Sequence, residues 1–97
     1  MPTYVILMNL TEKGIQDIKN APARLEAARK SIEATGGKLT AFYLTMGTYD
    51  YVAIAEGPSD EAAVVQLLGL GMAGNVRTIT LKAFSLAEFG ELLKKLP

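Results

Sequence analysis

The sequence predicts an α+β fold of ferredoxin-like order, β-α-β-β-α-β with a short C-terminal helix, and three observations carry that prediction. Four runs rich in β-formers occupy residues 3–10, 38–46, 49–56 and 76–84. Helical patterns separate the first run from the second and the third from the fourth. A glycine-centred turn signal joins the middle two.

Residues 3–10 (TYVILMNL) are continuously apolar, the pattern of a strand buried on both faces. Thr11 opens a polar stretch holding Ile15 and Ile18, read as a short helical turn. Asn20 is the expected N-cap of the first long helix, with Pro22 tolerated in its first turn. Leu25, Ala28 and Ile32 form its apolar stripe among Arg24, Glu26, Arg29, Lys30 and Glu33. Gly36-Gly37 ends it by supplying positive φ. Gly47-Thr48 then reads as a two-residue type II′ hairpin turn. Pro58-Ser59-Asp60-Glu61 opens the second helix, with two acids at its positive end. Its expected buried side is Val64, Leu67, Leu68 and Gly71, and Gly74-Asn75 stops it. After the last strand, Ser85 and Glu88 make an S-x-x-E capping box ahead of Phe89, Leu92, Leu93 and Leu96.

Ninety-seven residues are expected to form a single domain, 1–97. A chain that is 49% hydrophobic and 21% charged is not intrinsically disordered. Ten basic and ten acidic residues give zero net charge, which argues against direct nucleic-acid binding. The chain has no Cys, His or Trp. That excludes disulfides, thiolate nucleophiles, zinc sites built on Cys or His, and histidine acid–base chemistry. The carboxylates form no D-x-D-x-D-G calcium loop, so neither a metal nor a cofactor is expected. Met1–Leu10 lacks a basic n-region and is too short to span a bilayer. A cytoplasmic protein with no membrane contact is the expectation.

A hairpin turning at Gly47-Thr48 sets Met46 against Tyr49, Leu44 against Tyr51 and Phe42 against Ala53 on one face. The other face carries Thr45 with Asp50, Tyr43 with Val52 and Ala41 with Ile54. Neither face is polar, and one helical layer covers only one of them. An open face of this character favours association, and two sheets packed face to face in a symmetric homodimer, or a higher oligomer built from it, is the economical solution.

Gly69-Leu70-Gly71-Met72-Ala73-Gly74 matches G-x-G-x-x-G, but it follows a helix and precedes a strand. A dinucleotide site needs the reverse order, so no nucleotide is expected here. Tyr49-Asp50 is the sharper feature, because Asp is a poor strand former placed at a strand start. The candidate ligand-binding set is Tyr43, Gly47, Tyr49, Asp50, Tyr51 and Arg77. In it Asp50 accepts from an amine or hydroxyl, Tyr49 stacks, and Arg77 meets an anionic group. The plain structural alternative has Asp50 bonding the hairpin backbone or pairing with Arg77 or Arg24, while Tyr49 packs. An enzymatic alternative makes Asp50 a base and Tyr43, Tyr49 or Tyr51 the acid, which requires burial to raise the Asp pKa. Without His, the usual base near pH 7 is missing. Glu56 reads as a strand-end solvent group, and Arg24 and Arg29 as surface ion-pair formers.

Gly47-Thr48-Tyr49-Asp50 with Tyr51–Glu56 behind it, Pro22-Ala23-Arg24, and Gly74-Asn75-Val76-Arg77-Thr78 together resemble the GYD-domain family. The resemblance spans nearly the whole chain and implies a dimeric α/β-barrel. Residues 45–84 are also similar, more weakly, to the effector-binding domain of the Lrp/AsnC transcription regulators, which binds amino acids or related small molecules near subunit interfaces. No helix-turn-helix precedes the first strand here, so the likeness implies a stand-alone module. The favoured reading is a non-catalytic homo-oligomeric module that binds a small ligand or another protein. The alternatives are a cofactor-independent isomerase or monooxygenase-like enzyme and a structural assembly subunit.

Overall fold

The apolar run at the start of the chain becomes the strand around which the sheet is organised. In the computed structural model, which describes residues 1–97, β1 (Thr3–Leu10) pairs antiparallel with both β3 (Tyr51–Glu56) and β4 (Val76–Ala83). β2 (Lys38–Leu44) pairs antiparallel with β3, giving the order β2-β3-β1-β4. This is the α+β, ferredoxin-like arrangement. A strand with two neighbours and two faces to fill explains why residues 3–10 show no polar alternation.

The helices form where their caps stand. Thr11 caps the short α1 (Glu12–Gln16), its side chain accepting from the Gly14 N–H. A 3₁₀ turn (Ile18–Asn20) leads into α2 (Ala21–Ala34). Asn20 sits at the start of α2, but its amide donates to Asp17 instead of capping the helix. Arg24 is drawn to the same place, bonding the Asp17 carboxylate at 2.8 Å. Ser59 caps α3 (Asp60–Ala73) through the Ala62 N–H, and Gly74 closes it in the left-handed conformation. α4 (Leu86–Leu93) begins with the full capping box, and the Ser85 backbone and hydroxyl hold the Glu88 carboxyl below the usual range.

α2 and α3 lie over one face of the sheet, joined by Ser31 and Gln66. Tyr4, Met8, Tyr51, Ala53 and Ala55 are buried beneath them, and the Phe42 and Tyr51 rings meet at 4.9 Å. Leu25, Ala28 and Ile32 face this layer as their spacing predicts. α3 differs from expectation: Val64, Leu68 and Gly71 point outward, while Leu67, Leu70 and the alanines line the inner side. The reason is that α3 is apolar almost all round, so its sequence defines no inward direction. The helices stand off the sheet, leaving an apolar groove of about 920 Å³ between the layers.

The predicted hairpin register is present, with Leu44 opposite Tyr51, Phe42 opposite Ala53 and Tyr43 opposite Val52. The two-residue turn is not. The last β2–β3 ladder bond is Thr45 N–H to Asp50 O, so residues 46–49 form a wider loop with Gly47 at φ +105°. Its carbonyls are claimed from outside the ladder, Thr48 O by the Asn9 amide and Tyr49 O by the Thr45 hydroxyl. A bulge between Leu39 and Ala41 shifts the register by one residue, so that Leu39 and Phe42 pair with Ala55 and Ala53 on the same face.

Candidate functional site

β3 and β4 both run antiparallel to β1, so their starts meet at the C-terminal end of β1. This brings the 46–49 loop, Asp50 and Arg77 to one end of the sheet. Asp50 is anchored there by two bonds to β1. Its N–H donates to Met8 O at 2.9 Å, and its Oδ2 accepts from the Leu10 N–H at 2.8 Å. The carboxylate therefore extends the β1–β3 pairing past the last ladder residue. Arg77 lies opposite Asn9 on the other side of β1. Two strand spacings put the Asp50 and Arg77 backbones about 10 Å apart, and Arg77 forms no ion pair with any carboxylate. Arg24 is committed to Asp17, so neither arginine partners Asp50.

The predicted set divides between two faces. Tyr43 is 61% exposed on the uncovered face of β2, the face that Arg77 shares by register. Tyr51 is buried on the helix side and, with Asp50, lines the groove under α2 and α3. Gly47 and Tyr49 sit in the connecting loop. The arrangement can offer a guanidinium and a phenol on the open face, while the Asp50 carboxylate is engaged by backbone.

The uncovered face is the larger feature. Val5, Leu7, Val52, Ile54, Ile79 and Leu81 form contiguous apolar rows across β3, β1 and β4. Ile79 and Leu81 are each about half exposed. Apolar area left open on this scale marks an interaction surface.

Sequence reasoning missed a polar cluster at the opposite end of the sheet. The Tyr4 hydroxyl donates to Asp60 Oδ1 at 2.5 Å, and Lys82 Nζ meets Asp60 Oδ2 at 3.0 Å. The bond to Asp60 and burial push the Tyr4 hydroxyl up to about 12. The same bond, then Lys82, holds the Asp60 carboxyl below its ordinary value. The available signal was a tyrosine inside an otherwise aliphatic run, since a buried phenol needs an acceptor.

Comparison with known proteins places this fold in a family. The GYD domain model matches residues 4–93. The chain is 30% identical over 95 residues to a Thermus thermophilus protein named glutamine synthetase and cystathionine beta-lyase binding protein, covering 97% of this chain and 100% of that one. It is similar in fold to the crystal structure of TTHA0845 from the same organism, with a TM-score of 0.51 and 24% identity over 88% of this chain and 95% of that chain. No helix of the protein is long and apolar enough to cross a membrane. The loop-and-strand signature around Tyr49-Asp50, the four-stranded antiparallel sheet and the match over residues 4–93 agree: the chain belongs to the GYD-domain family.

Proposed function

We propose that this protein is a non-catalytic protein-interaction module, one domain acting in the cytoplasm, that self-associates through the open face of its sheet. The observation that carries the reading is the apolar row Val5, Leu7, Val52, Ile54, Ile79 and Leu81 on the face away from α2 and α3, its first four members half-buried and Ile79 and Leu81 exposed. Two such faces packed together form a symmetric dimer. The assembled dimer then engages a larger metabolic enzyme, the role that the name of the Thermus relative describes for that protein. A small anionic ligand, held by Arg77 beside the Gly47–Asp50 loop and contacting Tyr49, is the regulatory element of this reading, with Tyr43 standing apart on the opposite edge strand. Tyr51 belongs to its supporting core.

Sedimentation velocity of the wild-type chain and of Leu7→Lys tests the proposal. The wild type is expected to be a dimer or larger at micromolar concentration, and Leu7→Lys a folded monomer. A wild-type monomer at that concentration would sink the self-association. Immobilised dimer challenged with the host's own glutamine synthetase and cystathionine beta-lyase tests the second step, and failure to retain either enzyme counts against that partner class.

A further inference from the structure

The last helix has no partner within the protomer. Phe89, Leu92 and Leu93 line one side of α4, Leu96 follows just past its end, and the four are 42–66% exposed. Every residue of α4 is exposed. An eight-residue helix is marginal in water unless its apolar face is docked. Its capping box fixes where the helix starts, but covers none of the stripe.

We propose that α4 is an exchanged arm, which lays this stripe on a second copy of the chain beside the open sheet face and receives that copy's arm in return. The inference rests on the self-association proposed above and assigns it an additional contact. Two observations select a second copy as the occupant. The first is area: the protomer exposes 6717 Å², against about 5,400 Å² for a folded chain of this mass. The excess of about 1,300 Å² surpasses the roughly 800 Å² that each partner contributes to a stable interface. It coincides with a long axis of 53 Å and a radius of gyration of 14.7 Å, where about 12.5 Å is usual for this length.

The second is continuity. Ile79 and Leu81 stand on the open face of β4, and the chain passes through Phe84, 57% exposed, directly into the α4 stripe. Face and arm thus follow one another directly along the chain. A two-fold contact uses the same patch on both copies, so the arm of each covers surface that the other leaves open.

Hydrogen exchange of the full-length wild-type chain, measured above and below its dimer dissociation constant, tests this. The amides of residues 86–93 are expected to be protected in the dimer and to lose that protection on dilution. Phe89→Asp with Leu93→Asp, on the full chain, is expected to raise the dissociation constant at least tenfold with an unchanged far-UV spectrum. A dimer whose residues 86–93 exchange freely, or whose dissociation constant the double variant leaves unchanged, overturns the arm while leaving sheet-mediated association intact. Protection independent of concentration also overturns it, because the helix then docks on its own chain. A wild-type monomer removes both proposals together. Should the double variant fail to fold, the exchange pattern of the wild type decides alone.

Discussion

Two aspartates mark the two ends of the sheet, and they are held in different ways. Asp50, at the start of β3, is bonded to the backbone of β1 through both its N–H and its carboxylate. Asp60, at the start of α3, is bonded to two side chains, the Tyr4 hydroxyl and the Lys82 ammonium. The first end is fixed by main-chain geometry, and nearby the Thr11 N–H and hydroxyl bond Asn75 O and Gly74 O. The second is fixed by titratable groups at a surface. The comparison teaches that a carboxylate in a family signature can serve register, while one outside it forms the charged cluster.

The largest expected effect breaks the backbone-locked end. A Cβ added to Gly14 would stand 2.1 Å from Asn75 O, a main-chain atom that cannot swing away. Gly14→Ala should therefore cost about 3 kcal/mol in urea denaturation, the upper range for overpacking. Gly71→Ala is the control, since its Cβ meets nothing within 4 Å. In a helix interior that change should stabilise by about 1 kcal/mol. Equal gains for the two would show that helix propensity, and not the close approach to Asn75, governs this end.

A smaller effect is expected at Asp50 itself. Asp50→Ala strands the Leu10 N–H and should cost about 2 kcal/mol, while Asp50→Asn keeps a neutral acceptor and should cost about 1 kcal/mol. Wild-type stability in both variants, with loss of a bound amine- or hydroxyl-bearing molecule seen by native mass spectrometry, would reassign Asp50 from register to ligand.

Element order was legible because caps and periods agree with the fold. Ser59 and Ser85 cap helices where the sequence places caps, and the β2–β3 register followed from centring the turn on Gly47-Thr48. What escaped the sequence depends on contacts between distant residues. In the wider 46–49 loop the Thr48 carbonyl is taken by Asn9, 39 positions earlier. Tyr4 and Asp60 are 56 positions apart. The inner side of α3 was misassigned because an all-apolar helix carries no directional pattern. At the candidate site, grouping Gly47, Tyr49, Asp50 and Arg77 at one end needed only strand direction. Separating Tyr43 from Tyr51 needed their alternation about the pleat, which places them on opposite faces.

The smallest expected effect is at the Asp60 end and sharpens the contrast by its pH dependence. The Asp60 carboxyl is held below its ordinary value, chiefly by the Tyr4 hydroxyl and then by Lys82. Its contribution is thus present above the unfolded value near pH 4 and is lost as pH falls through the lower folded value. The Tyr4 hydroxyl is shifted the other way, to about 12. Its contribution is complete below the unfolded value near pH 10 and disappears as pH rises through the folded one. Asp60→Asn should accordingly flatten the acid limb of the thermal-stability profile, and Tyr4→Phe the alkaline limb. Because Lys82 and Asp60 are both about half exposed, 1 M salt should weaken the Lys82 part of the acid limb but spare the hydroxyl bond. Gly14→Ala, by contrast, should lower the whole profile and leave its shape unchanged, because a clash with a carbonyl does not titrate. Limbs that keep their wild-type slopes in Asp60→Asn and Tyr4→Phe would mean that the cluster adds nothing to folding, and both ends of the sheet would then rest on backbone geometry alone.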